Sequence, residues 1–204
     1  MNILAIGAHP DDVEFGCGGT LIKYALRGHY TYVLVITDGG RGGDPIVRRK
    51  EQEAAARVLG CSGVFWGECQ DTAVSVERDL IQRVEDTLDR VKPELLFVHW
   101  SDDTHQDHRH LSSSVVTASR YTRNVLFYEG PTTVSFTPSV FVEIESVLER
   151  KLHALKAHAS QVIKTGVEGT SIVDVARAAA HFRGIQARVR QAEAFVPLRL
   201  FVST

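Results

Sequence analysis

Two short stretches of the chain concentrate the residue types that bind metals and move protons. One is Gly7-Ala8-His9-Pro10-Asp11-Asp12; the other is Asp102-Asp103-Thr104-His105-Gln106-Asp107-His108. Histidine nitrogen and aspartate oxygen are ordinary zinc ligands, and a catalytic zinc keeps three protein ligands with a fourth position open. Adjacent aspartates point in different directions. Asp11 and Asp12 can therefore divide the work, one binding metal and the other facing the reacting water. His105 and His108 are three residues apart, which places both on one side of a helical turn. One can complete a ligand set while the other faces substrate, and Asp107 can orient an imidazole from behind.

Both stretches directly follow apolar runs. Residues 2–7 (NILAIG) and 95–98 (LLFV) read as buried strands, as do 31–36, 63–66, 125–128 and 139–143. Helical patterns lie at 18–28, 46–59, 76–91, 109–120, 144–159 and 171–193; the third has a stripe from Val76 to Val91 and stops before Pro93. This alternation predicts an α/β three-layer sandwich, a Rossmann-like, mostly parallel sheet with helices on both faces. Ligand sites in such sheets lie at the carboxyl ends of the strands, where both stretches fall. A dinucleotide site would place G-x-G-x-x-G after the first strand. Here an imidazole and two carboxylates stand in its place, which repel phosphate and attract a cation.

With a helix starting near residue 18, the first stretch reads as a loop rather than a helix cap. Gly16, Gly18 and Gly19 then serve either close backbone approach or turn chemistry. His99 and His110 lack a partner motif and read as core or surface histidines. The GGRGG loop at Gly39–Gly43 reads as a substrate rim or a flexible connection.

Composition narrows the class. With 204 residues, 44% hydrophobic and 24% charged, the chain is expected to form one soluble domain, 1–204. A net charge of -2 advertises no basic face for nucleic acid. Cys17, Cys61 and Cys69 form no CxxC pair, which suits a reducing cytoplasm. No stretch approaches the roughly 20 apolar residues of a membrane helix, and no secretory signal is read at the N-terminus.

On these residues the sequence resembles the LmbE-like, or PIG-L, family of zinc-dependent de-N-acetylases. The resemblance rests on AHPDD (8–12) with GCGGT (16–20), and on D-x-H-x-DH at 103–108. It extends through Arg48-x-x-Glu51 with AAARVLG (54–60), KLHALKAHASQ (151–161), and FRGIQ with AEAF (182–195). It implies zinc on His9, Asp12 and His108, with Asp11 as general base. It further implies that His105 assists the tetrahedral intermediate with Asp107 behind it, and that Arg48 bonds sugar hydroxyls. The implied substrate is a small N-acetylated sugar or glycoconjugate, and homo-oligomers are implied as well. Val13 follows Asp12 where many members carry Glu, and Glu14 comes next. Asp103 replaces a tyrosine typical of the mycothiol branch, so the chain looks closer to bacillithiol-type deacetylases.

Amide hydrolysis needs a strong nucleophile, a place for oxyanion charge and a proton for the leaving amine. Zinc lowers the pKa of water from about 15.7 to about 7. Asp11 would take that proton and later deliver it, and protonated His105 would stabilise the oxyanion. Two other classes compete. A phosphoesterase often holds two metals roughly 3.5–4 Å apart, whereas only three ligands are convincing here. A silent sugar or nucleotide binding module would have no use for Asp11 and His105.

Overall fold

The computed structural model describes residues 1–202. The apolar runs become strands β1 (Asn2–Gly7), β2 (Tyr30–Thr37), β3 (Gly63–Cys69), β4 (Leu95–His99), β5 (Val125–Tyr128), β6 (Val140–Glu143) and β7 (Ala192–Arg199). They form one sheet in the order β3-β2-β1-β4-β5-β7-β6. The first five run parallel, and β7 is antiparallel to both β5 and β6. The helices are α1 (Asp12–Leu26), α2 (Pro45–Leu59), α3 (Arg78–Val91), α4 (Gln106–Ala118), α5 (Leu148–Lys156) and α6 (Ile172–Ala187). Leu21, Leu59, Leu152 and Ala176 of α1, α2, α5 and α6 share one core, while Leu80 and Val115 of α3 and α4 share another. The sheet lies between them, so the expected three-layer architecture is what forms. Ile3, Leu4, Ala5 and Ile6 of β1 are all fully buried, because both faces of a parallel sheet are covered.

The strand order reverses direction at β1, which lies between β2 and β4. The chain leaves β1 toward one side of the sheet and β4 toward the other, opening a crevice at their carboxyl ends. Both motif stretches begin there.

Three elements differ from the sequence expectation. α1 starts at Asp12, not near residue 18. Asp12 and Glu14 occupy its first turn, where carboxylates oppose the helix dipole favourably. The glycines lie inside this helix. A Cβ on Gly16 would fall 2.1 Å from the Tyr128 ring, and one on Gly19 would fall 2.9 Å from Ile144. They let α1 seat closely on its neighbours, and that seating fixes where Asp12 stands. α5 is shorter than 144–159, being preceded by a 3-10 turn at Glu145–Val147. The expected helix 171–193 ends at Ala187, where Arg188 turns left-handed at φ 61°. Ala192 and Glu193 favour helix intrinsically, yet pairing with β6 draws them into β7, a strand not expected from the sequence. Among the described residues no helix is long and apolar enough to cross a membrane.

Candidate metal centre and substrate cleft

Asp12 stands at the centre of the crevice. Its Oδ2 accepts the His9 backbone N–H at 2.7 Å and lies 3.4 Å from His9 Nδ1 and 3.0 Å from His99 Nε2. Its Oδ1 lies 3.5 Å from His108 Nε2. His9 and His108 therefore meet opposite oxygens of one carboxylate. Each imidazole also has a carboxylate behind it. His9 Nε2 is 3.1 Å from Asp71 and 3.2 Å from Asp107, while His108 Nδ1 is 3.2 Å from Asp103.

These residues suit a cation. Potential ligand atoms lie within 4.8 Å of one another in three groups here, namely His9 with His105 and His108, Asp12 with His99 and His108, and His9 with Asp71 and Asp107, so His9 and His108 each belong to two of them. Both ring nitrogens of His108 are buried without a hydrogen bond. Its two nitrogens instead face the carboxylates of Asp12 and Asp103 as ion pairs. The carboxylates set the ring charges. Burial alone would lower His108, but Asp12 and Asp103 override it and raise the ring to about 9. Burial likewise opposes His9, which Asp107, Asp12 and Asp71 together raise well above its ordinary value. Protons are held where a metal would be.

The structure places Asp107 elsewhere than behind His105, where it was expected. Its carboxylate faces His9, and it also accepts N–H groups from Thr72 (2.8 Å) and Val74 (3.3 Å). His105 is the N-cap of α4, and its Nδ1 accepts the Asp107 backbone N–H at 3.2 Å. A helix start turns the second residue inward and leaves the cap at the rim, which explains the split. Since Nδ1 accepts, a neutral His105 carries its proton on Nε2. Burial lowers the His105 pKa, and the cationic His9 and His108 lower it further. A neutral ring of this tautomer, in place of the protonated one expected from the sequence, still has one N–H to donate.

Asp11 sits beside the centre with its side chain 25% exposed, 3.6 Å from Arg48. Burial in the recess raises it to about 6; His158 and Arg48 pull it down while Asp12 pushes it up. Arg48 is buried, and its guanidinium donates to Pro10 O (2.7 Å) and Gly39 O (2.9 Å). It ties the first motif to the Gly39–Gly43 loop. That loop is tethered elsewhere too, because Asp71 accepts the Arg41 N–H and Lys164 donates to Gly42 O. A cleft of about 640 Å³ opens here, and Asp11, Arg48, His105, Thr132, Gln161 and Lys164 line it.

Asp71, Asp103 and His99 carry no role that their sequence context alone assigns. His99 is a core histidine, as expected, yet it stacks on His108 with ring centroids 3.9 Å apart. His110 bonds Val74 O, away from the centre. The available signal was position, since His99 ends β4 and Asp71 follows β3 closely.

Clustered imidazoles and carboxylates at strand ends, beside a cleft of this size, define a metal-dependent hydrolase. The chain belongs to the PIG-L family, described as GlcNAc-PI de-N-acetylase, which matches over residues 4–119. Its class is hydrolytic N-deacetylase. It is 38% identical to an uncharacterized deacetylase of Escherichia coli K12, over 78% of this chain and 90% of that protein. It is 26% identical to diacetylchitobiose deacetylase of Thermococcus kodakarensis, over 78% and 69%. An equal 26% relates it to 4-oxalmesaconate hydratase of Pseudomonas putida, over 78% and 73%. The crystal structure of the conserved protein TT1542 from Thermus thermophilus matches with a TM-score of 0.88 at 28% identity, over 99% and 96% of the two chains.

Proposed function

We propose that the protein is a zinc-dependent N-deacetylase acting on a small N-acetylated amino sugar or glycoconjugate. The observation that carries this is the arrangement around Asp12, where two carboxylate-backed imidazoles approach one carboxylate and Asp11 stands next to it facing the cleft. His9, Asp12 and His108 would hold the metal, with Asp71, Asp107 and Asp103 fixing the rings. Bound zinc supplies a Lewis acid and lowers the pKa of water to about 7. Asp11, raised to about 6, is matched to proton transfer near neutral pH. It accepts the proton of the attacking water and returns it to the leaving amine. His105 offers its Nε2–H to the carbonyl oxygen as negative charge develops there. Arg48 has two hydrogen bonds committed to backbone carbonyls, so its contribution is to hold the cleft wall, with its remaining donors available to sugar hydroxyls.

The test is acetate release from a panel that includes N-acetylglucosamine and N,N'-diacetylchitobiose, with metal content measured on the same sample. Acetate formation that scales with zinc supports the reading. No acetate from any N-acetylated sugar, together with hydration of an unsaturated diacid such as 4-oxalmesaconate, would replace it with a hydratase.

A further inference from the structure

Asp11 holds a backbone conformation that its residue type resists. Its φ is 98° and its ψ is -22°, in the left-handed region that favours glycine. Its side chain makes no cap hydrogen bond to α1, whose one bond to Asp11 is the Phe15 N–H on its carbonyl at 3.0 Å. Relaxation to ordinary helical dihedrals would extend α1 by one residue and carry the carboxylate away from Arg48. The side of Asp11 facing away from α1 has a partner as well.

The Asp11 N–H donates to Gln52 Oε1 at 3.3 Å, across from α2. Gln52 is fully buried, and its Nε2 donates to Glu14 Oε1 at 2.7 Å. That second bond settles the amide orientation. A carboxylate only accepts, so the Gln52 nitrogen must face Glu14 and the oxygen must face Asp11. Glu14 is itself fully buried, and its Oε2 lies 3.6 Å from Nε2 of His158, which is 1% exposed. The donations converge on Glu14, because the Asp11 N–H gives to Gln52 and Gln52 gives to Glu14 Oε1, while His158 stands beside Oε2 without a hydrogen bond to it. None of Gln52, Glu14 and His158 lines the cleft. Glu14 on α1 and Gln52 on α2 meet beside an apolar core that includes Val13, Phe15 and Ala55, where a buried amide is costly unless both its ends are paired, as those of Gln52 are.

We propose that Gln52, seated on Glu14, is a positioning residue that locks the strained Asp11 backbone so that its carboxylate faces the cleft. This rests on Asp11 being the general base. Gln52→Met keeps the volume and removes both bonds. In the zinc-loaded full chain it should lower kcat on N,N'-diacetylchitobiose by about 10- to 100-fold, with KM and zinc content unchanged. In an Asp11→Asn background it should cost nothing further, because a residue acting only through Asp11 has nothing left to act on. Independently of any substrate, hydrogen exchange at the Asp11 amide should speed by about tenfold or more in Gln52→Met, while the β1 amides hold. Unchanged Asp11 exchange, an unchanged kcat, or an equal loss in the Asp11→Asn background would each overturn the proposal. Wild-type protein without deacetylase activity, but with faster Asp11 exchange in Gln52→Met, would instead sink the general-base role and leave the strut standing. If Gln52→Met does not fold, Gln52→Leu, which also removes both bonds, enters the same cycle, and the same results support or overturn the proposal.

Discussion

Among the buried charge clusters along α1, two are finished differently. Behind the helix, Lys151 donates to Glu193 and to Phe15 O, both at 2.6 Å. The remaining capacity of Glu193 is taken by the Gly19 and Thr20 N–H groups and the Thr20 hydroxyl, at 2.6–2.8 Å. Both carboxylate oxygens are saturated, and the cluster ties α1, α5 and β7 together. At the other end of α1, around Asp12, His99 Nδ1 and both nitrogens of His108 lack hydrogen bonds. Saturated buried charge holds the fold; unsaturated buried charge keeps capacity for a ligand. Loss of a member should therefore cost stability in the first cluster and chemistry in the second.

The largest effect expected is on chemistry. Asp11→Asn keeps the shape but cannot accept a proton, so kcat should fall by about 10²–10⁴-fold. Zinc content and the urea midpoint should stay at wild-type values. Near-normal turnover would remove Asp11 from the mechanism.

Lys151→Met probes the saturated cluster. Stranding Glu193 without its cation should cost about 3–5 kcal/mol of unfolding free energy, read from urea titration. Zinc binding by the folded fraction should survive. A mild change, or metal lost without loss of stability, would erase the contrast between the two clusters.

His105→Ala should lower kcat by about 10²–10³-fold, the usual effect of one oxyanion donor, with metal retained. With the ring acting as the proposed neutral donor, the rate should not fall as pH rises through 6.5–8 in the wild type on account of this residue. A His105-dependent fall in that range would restore a protonated role.

The smallest effect is a pH dependence of the metal-free protein. His108 is raised to about 9 in the folded chain, above the unfolded value of about 6.5. Its protonation therefore stabilises the apo fold fully below about 6.5, and that contribution is lost as pH rises through about 9. Zinc competes with this proton, so its apparent affinity should climb by up to about tenfold per pH unit below about 9. Flat affinity from pH 6.5 to 9, measured by competition with a chelator, would show that His108 does not bind zinc.

The sequence carried much of this site because its chemistry is locally written. His9, Asp11 and Asp12 are near neighbours, as are His105, Asp107 and His108, and each group follows an apolar run that could only be a buried strand. Arg48 was legible through its place at the start of a helix, although its hydrogen bonds go to Pro10 and Gly39 carbonyls. β7 was not legible, because Ala192 and Glu193 look helical until β6 is beside them.

The sequence by itself determined the strand–helix alternation, the two ligand-rich turns and their place at the carboxyl ends of β1 and β4. These depend on periodicity and neighbouring residues, which a single chain displays. Only the tertiary structure decided which carboxylate meets which imidazole. Asp107 meets His9 across 98 positions, His99 meets Asp12 across 87, and Glu193 caps the α1 backbone across 174 and 173. A buried carboxylate must find its donors wherever packing brings them, and packing is set by the stacking of whole helices on the sheet. The left-handed turn at Asp11 belongs to the same category, since α2 supplies the amide that meets its N–H.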